Sequence, residues 1–206
     1  MLNGWQHYDY VRRQGTIITV KPDGNPVSVA EAKRQLRIDH DDTDQDNYIA
    51  ELCGAAHRAV ESQLGYPILR QTRQTHLFGF PCGAIWLGGG DSLTVSQVRY
   101  FDSSGTQQVL PATDYIVDAI SRPAALLAAP FKPWPSVIER PGAVMIDWLA
   151  GWNSAADVPE DLIHAMKLLI GHYDQNREAV IVGATPNAVQ HTVDALLEPW
   201  RIVMFA

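Results

Sequence analysis

Apolar residues recur at helical spacing in two long stretches of the chain, and each stretch has a recognisable boundary. The first follows an acidic run and shows one apolar face, made of Ile49, Leu52, Cys53, Ala56, Val60 and Leu64. Gly65 and Pro67 end it, because glycine suits a left-handed C-cap and proline cannot continue a helix. The second begins after Pro159, and its apolar face is Leu162, Ile163, Met166, Leu169, Ile170 and Tyr173.

Two shorter helices flank these stretches. Ser28-Val29-Ala30-Glu31 has the pattern of a capping box, in which the serine hydroxyl and the glutamate carboxylate satisfy each other's backbone amides. A helix of two to three turns is therefore predicted from Ser28. The pattern also predicts a short last helix at Thr192–Leu197, which Pro199 stops.

Between Ile68 and Leu149 the pattern changes to short extended runs separated by Gly, Pro and Asp. The predicted strands are Arg70–Phe78, Ala84–Leu87, Val95–Phe101, Gln107–Leu110, Tyr115–Val117 and Ala143–Trp148. Asp102-Ser103-Ser104-Gly105 is a hairpin turn between two of them. These six short strands predict a compact β region. One further strand is expected at Thr16–Val20, within the irregular lead-in at 1–27.

These elements predict an α+β fold, with a helical bundle formed by the N- and C-terminal helices and an inserted compact antiparallel β region. The expected organisation has four parts. They are an N-terminal arm at 1–27, a helical core at 28–67 plus 157–198, the β region at 68–150 and an apolar C-terminal tail at 199–206.

Composition narrows the class of protein. The chain has 206 residues, 46% hydrophobic and only 19% charged, which is typical of a subunit whose exterior faces other subunits. Its net charge of −7 argues against a free-standing nucleic-acid binder. Cys53 and Cys82 lack the CxxC spacing of a zinc site, and a reducing, cytoplasmic place of synthesis is expected. No signal peptide and no membrane-spanning run of about 20 apolar residues is expected.

The acidic run suggests a calcium loop but departs from its pattern. Asp42, Asp44 and Asp46 match its first three ligands, whereas Asn47 stands where the turn needs Gly and Cys53 where the bidentate Glu belongs. Capping of the following helix is the favoured interpretation.

No other constellation predicts chemistry. His164 and His172 lie two turns apart, too far to share an ion without a third element, and His57 with Glu61 is expected to be an ordinary helix-surface pair. The Gly88–Asp91 segment has no Lys-Ser/Thr after it and is interpreted as a hairpin tip, not a phosphate loop. We therefore expect no catalytic residues, no metal and no cofactor; a metal-binding enzyme is the alternative from another class.

Both ends of the chain suggest contacts with neighbours. Aromatic and basic residues near the start, Trp5, Tyr8, Tyr10 and Arg12, are candidates for an inter-subunit arm, with contact to a nucleic-acid backbone as the alternative. The apolar tail presents Trp200, Ile202, Val203 and Phe205. It would bind a partner if exposed, and it would otherwise pack on the bundle.

A resemblance to a known family links these features. The segment Val27-Ser28-Val29-Ala30-Glu31-Ala32-Lys33-Arg34-Gln35-Leu36-Arg37-Ile38-Asp39 precedes an acidic turn and a long helix that ends at Leu64-Gly65-Tyr66-Pro67. This order resembles the start of the head–tail connector (adaptor, or head-completion) proteins of long-tailed phages and gene transfer agents. Later blocks are similar too: Tyr100–Gly105, Asp114–Asp118, Trp148–Trp152, Val158–Leu162, His172–Ala179 and Val193–Arg201. Residues 1–25 have no counterpart.

The resemblance implies a structural virion protein of the neck between capsid and tail. It implies a ring, twelve-fold in similar proteins, that docks on the portal protein through the tail residues and offers a platform to a stopper or tail-completion protein. DNA would pass through an acidic lumen without specific binding. The alternative within the same class is that the chain itself is the tail-completion or stopper protein, although a helix–insertion–helix layout is unlike a small β-barrel stopper.

Overall fold

The computed structural model describes residues 15–89, 92–177 and 187–202, with the backbone alone for residues 187 and 188. The chain divides into two compact units. The β unit is Met1–Lys21 with Arg70–Gly151, and the helical unit is Pro22–Leu69 with Trp152–Ala206. The predicted α+β class is confirmed.

Within its described residues, the helical unit contains four α-helices: α1 (Val29–Leu36), α2 (Asp46–Leu64), α3 (Glu160–Gln175) and α4 (Asn187–Leu197). The capping box at α1 is confirmed, since the Glu31 amide donates to Ser28 Oγ and the Ser28 amide donates to Glu31 Oε2. Gly65 ends α2 with φ +80°, as predicted from glycine's tolerance of that conformation. Helix α4 begins five residues before the predicted Thr192.

The helical core lies between α2, α3 and α4, with α1 packed on α2 and α3. Its fully buried side chains are Ala32, Ile49, Ala56, Val60, Leu64, Tyr66, Ile68, Leu162, Ala165, Met166, Ile170, Val193 and Leu197. Cys53 belongs to this core as predicted, and burial raises the pKa of its thiol to about 11. A thiol with that pKa stays protonated at neutral pH and is unreactive.

The prediction of a surface pair at His57 and Glu61 was wrong. His57 is only 5% exposed, and its Nε2 lies 3.3 Å from Glu61 Oε1. The same glutamate oxygen accepts a hydrogen bond of 2.7 Å from the Ile68 amide, which is where the chain leaves the helical unit. The Trp152 amide, where the chain returns, donates to the Ile68 carbonyl at 2.8 Å. Glu61 is therefore a mostly buried carboxylate, and it fixes the backbone next to the point where the chain leaves the helical unit.

The described part of the β unit contains eight strands in two antiparallel sheets. They are β1 (Gly15–Val20), β2 (Gln71–Leu77), β3 (Ile85–Leu87), β4 (Thr94–Phe101), β5 (Gln107–Val109), β6 (Tyr115–Asp118), β7 (Ala124–Ala128) and β8 (Val144–Ala150). The larger sheet has the order β1-β2-β8-β4-β5, and the smaller has the order β3-β7-β6.

Two features of the β unit differ from the expectations. Strand β7 was not predicted, because Ala-Ala-Leu-Leu-Ala is an apolar run without alternation. Its first three residues are buried, and it forms the middle strand of the smaller sheet. Strand β1 pairs with β2 along the larger sheet, so this part of the expected N-terminal arm belongs to the β unit.

The β core packs around Trp148, which is 1% exposed. Its indole N–H donates to the hydroxyl of Thr75 at 2.9 Å, and Thr75 is fully buried. This bond pairs the central strand β8 with β2 through side chains as well as backbone. Among the described residues, no helix is both long and apolar enough to cross a membrane.

Replacing Thr75 with Val keeps the side-chain shape but leaves the indole N–H of Trp148 without its acceptor. We expect the free energy of unfolding to fall by about 1–3 kcal/mol. Chemical denaturation followed by tryptophan fluorescence measures it. The control is Thr19→Val, since the Thr19 hydroxyl donates to the Thr72 carbonyl at an exposed site. Equal losses in the two variants would contradict this account of the β core.

Candidate docking surfaces

The outer face of the larger sheet is polar in its middle. Asp147 on β8 accepts two hydrogen bonds of 2.6 Å, one from Gln74 on β2 and one from Arg99 on β4. Both oxygens of the carboxylate are used, and the Arg99 and Asp147 side chains are 28% and 18% exposed. Because the partners lie on three neighbouring strands, this network fixes the centre of the sheet.

The two edge strands of the same sheet carry no charge, and each exposes at least one aliphatic side chain. All six residues of β1 are exposed, including Ile17 at 52%, Ile18 at 49% and Val20 at 59%. At the other end, all three residues of β5 are exposed, with Val109 at 55%. No strand among the described residues pairs with the outer edge of either β1 or β5. Natural sheets usually protect such edges with charged residues or proline, so these edges are candidate interaction sites.

The predicted hairpin turn at Asp102–Gly105 is confirmed, and one carboxylate holds it. Asp102 accepts hydrogen bonds from the amides of Ser104 and Thr106 and from the Ser104 hydroxyl. These bonds, with one from the Gln108 side chain, lower the pKa of Asp102 to about 2. The turn is thereby fixed at neutral pH, and β5 is held against β4.

The smaller sheet also presents apolar side chains. Trp86, Ile116 and Leu127 are 44%, 48% and 39% exposed, and Ile116 lies directly opposite Leu127. Ile120 and Phe131 are almost fully exposed in loops, and Phe131 has φ +64°, a conformation that is strained for a side chain of this size. A surface with this many exposed apolar residues is typical of a protein that binds other proteins.

The proposed tail residues fall into two groups. Trp200 and Ile202 pack against the helical core, and the Trp200 ring meets Trp152 edge-on at 6.2 Å. The Tyr66 hydroxyl donates to the Trp200 carbonyl at 3.0 Å. Val203 and Phe205 lie outside the described residues. The first residues of the tail therefore pack against the helical core of their own chain.

The predicted inter-subunit arm was assigned to Trp5, Tyr8, Tyr10 and Arg12. These four residues lie outside the described part of the chain. Their role stays a prediction.

A lysine organises the acidic loop between α1 and α2. Lys33 is 4% exposed, and its ammonium donates to the carbonyls of His40 and Asp42 at 3.2 and 2.7 Å. It also lies 2.5 Å from Asp46 Oδ1. The ammonium therefore contacts Asp46, one of the three carboxylates considered for calcium. The N-cap of α2 is Gln45, which makes no side-chain capping bond, so the acidic run supports the helix through Asp46 in its first turn.

A cleft of about 540 Å³ lies on the helical unit. Its lining includes Glu31, Glu160, Asp161, His164 and Lys167. Glu31 has a lowered pKa, first because the Ser28 amide donates to it, and its Oε1 lies 3.4 Å from the Lys167 ammonium. No group of three or more His, Cys, Asp or Glu side chains in the described residues could hold a metal ion.

Charge is unequally divided between the units. The helical unit has sixteen acidic and seven basic residues, a net charge of −9, whereas the β unit has seven acidic and nine basic residues, a net charge of +2. The acidity that argues against a free-standing nucleic-acid binder is therefore a property of the helical unit. A contact between the β unit of one copy and the helical unit of another would be electrostatically favourable.

The fold has counterparts among solved structures. A chain in the neck of an empty GTA (gene transfer agent) particle computed with C6 symmetry matches with a TM-score of 0.75 and 24% sequence identity, over 93% of this chain and 97% of that chain. This protein shares the fold of a gene transfer agent neck protein. A chain in the virion of the native gene transfer agent particle matches at 0.73 with 23% identity, over 93% of this chain and 97% of that chain.

A third match is to the neck of the native GTA particle computed with C12 symmetry, with a TM-score of 0.63 and 23% identity, over 92% of this chain and 98% of that chain. No protein-family model matches the sequence, and no curated protein matches it. At these identities the likeness shows the fold, which is the fold that the resemblance of the sequence blocks implied.

Replacing Lys33 with Met removes the ammonium from the acidic loop, while the methionine side chain keeps nearly the same shape as the lysine side chain. We expect the free energy of unfolding to fall by about 1–3 kcal/mol, because two carbonyls and a carboxylate lose a charged donor. Lys167→Met is the matched control, since that side chain is a quarter exposed and its loss should cost under about 1 kcal/mol. Thermal or urea denaturation measures both. If Lys33→Met is as stable as the unmodified chain, the lysine does not organise the loop.

Proposed function

We propose that the chain is a structural, non-enzymatic subunit of the head–tail connector, or adaptor, ring in the neck of a phage or phage-derived particle. The observation that carries this proposal is the fold likeness to chains in the necks of gene transfer agent particles, which spans more than nine-tenths of both chains. A likeness over the whole length matters because it includes both the helical unit and the inserted β unit.

The ring would continue the DNA channel between the portal protein and the tail. Ring subunits repeat one heterologous contact, so each copy needs two different, complementary surfaces. Opposite net charges on the helical unit and the β unit add a long-range attraction between neighbouring copies. An acidic surface toward the lumen would let DNA slide without binding, because it attracts no phosphates. We expect twelve copies in the ring.

We propose that the end of the tail anchors the ring to the portal. The packing of Trp200 and Ile202 on the helical core leaves them less surface for a partner than the sequence alone suggested. Val203 and Phe205, with the sides of Trp200 and Ile202 that stay exposed, are the residues we assign to this contact. The aromatic and basic residues near the start, with Trp5 as the largest, are assigned to contact with the neighbouring subunit.

A tail-completion or stopper protein is the second candidate. The fold neighbours of this chain are parts of the neck and of the virion, and a stopper also belongs to the neck. An adaptor binds heads that carry the portal alone. A stopper binds only after an adaptor ring is seated.

The test is co-sedimentation of the purified chain with tail-less, DNA-filled heads that carry the portal and no other neck protein. The full chain is compared with a chain that ends at Ile202, which keeps the packed part of the tail. We expect the full chain to bind and the shortened chain to bind at least tenfold more weakly, because losing an apolar anchor removes several kcal/mol.

Phe205→Leu is the control, since it keeps an apolar side chain at the same position and should preserve binding. Equal binding by the full and shortened chains would support the ring and refute the tail anchor. Binding only to heads already fitted with an adaptor would identify a stopper. Failure of the full chain to bind any head would reject a role in the neck.

A further inference from the structure

In the five-stranded sheet of the β unit, the charged residues lie on the inner strands and not on the edge strands. Sheets that must stay separate place charges on their edge strands. Here Arg73, Arg99 and Asp147 lie on the three inner strands, whereas β1 and β5 contain no charged residue. The two edges are therefore chemically suited to pairing.

Both edges present an aliphatic side chain on the same face of the sheet. Register pairs Ile17 with Gln74 and Gln74 with Asp147, so these three side chains share the outer face. Asp147 pairs with Gln97, and Arg99, two residues on, pairs with Val109. Ile17 and Val109 thus lie on one face at opposite ends, 52% and 55% exposed, with the polar network between them.

The strand directions allow the sheet to continue into a neighbour. All four pairings in the order β1-β2-β8-β4-β5 are antiparallel, so β1 and β5 run in the same direction. A second copy placed beside the first in the same orientation would lay its β1 parallel to β5 of the first. Such a head-to-tail contact repeats without a two-fold axis, which is the requirement for a ring.

We propose that copies of this chain join by pairing β1 of one copy with β5 of the next, so that the five-stranded sheets continue around the ring. The contact brings Ile17 of one copy beside Val109 of its neighbour and buries both. It also satisfies backbone groups that face outward on both edges. This proposal rests on the proposed ring and assigns its subunit contact to residues of the β unit.

Charge substitutions at the two edges test it on the full chain. Self-association is measured by analytical ultracentrifugation over a range of concentrations, with circular dichroism as the check on folding. We expect Ile17→Lys and Val109→Glu each to weaken self-association about tenfold or more, because each places an unpaired charge in the buried contact. The matched control is Ile116→Lys, which changes an isoleucine 48% exposed on an edge strand of the other sheet and should leave self-association unchanged.

The double variant Ile17→Lys/Val109→Glu decides the geometry. In the head-to-tail contact the new lysine faces the new glutamate of the next copy, so self-association should recover most of the loss. A two-fold contact between two β1 strands would instead be weakened by Ile17→Lys alone, untouched by Val109→Glu and not restored in the double variant. That result overturns the proposal.

Two further outcomes separate this inference from the proposed function. If the unmodified chain does not self-associate, or if neither single variant changes its association, the edge contact is refuted even where the chain still binds heads. If the unmodified chain fails to bind heads while the edge variants change self-association as expected, the subunit contact is supported and the role in the neck is refuted. A loss of head binding by Ile17→Lys without any change in self-association would assign β1 to another neck protein instead.

Discussion

The fold depends on how the chain leaves and re-enters the helical unit. The insertion Arg70–Gly151 begins and ends on neighbouring antiparallel strands, since Gln71 on β2 pairs with Ala150 on β8. Just outside these strands the Trp152 amide donates to the Ile68 carbonyl, and the Glu61 carboxylate fixes the Ile68 amide. The entropy cost of closing a loop rises only slowly with its length, and the pairing of β2 with β8 along their whole lengths helps to offset it. The helical core is thus continuous although its sequence is split.

Helix ends and turns that depend on neighbouring residues were predicted correctly from the sequence. The capping box at Ser28, the C-cap at Gly65 and the hairpin at Asp102 each depend on residues within a few positions of one another, and all three were confirmed. Strand β7 was not predicted. A short apolar run is compatible with either a buried strand or part of a buried helix, and its pattern alone does not distinguish the two.

The candidate surfaces were less accessible to sequence reasoning. The sequence pattern assigned no role to Lys33, because only the fold of the acidic loop brings the carbonyls of His40 and Asp42 to its ammonium. The uncharged edges of the larger sheet could be recognised only once strand order was known, since β1 and β5 are far apart in sequence. Partner binding depends on such non-local arrangements, whereas caps and turns do not.

The central claim is that this chain forms a ring in the neck, and electron cryo-microscopy of portal-bearing heads incubated with the purified full chain tests it most directly. The account predicts extra density at a single vertex of each head, arranged as a ring around the channel, into which the helical and β units fit as separate bodies. Heads that show no added density at that vertex, or density spread over the capsid surface, would contradict it.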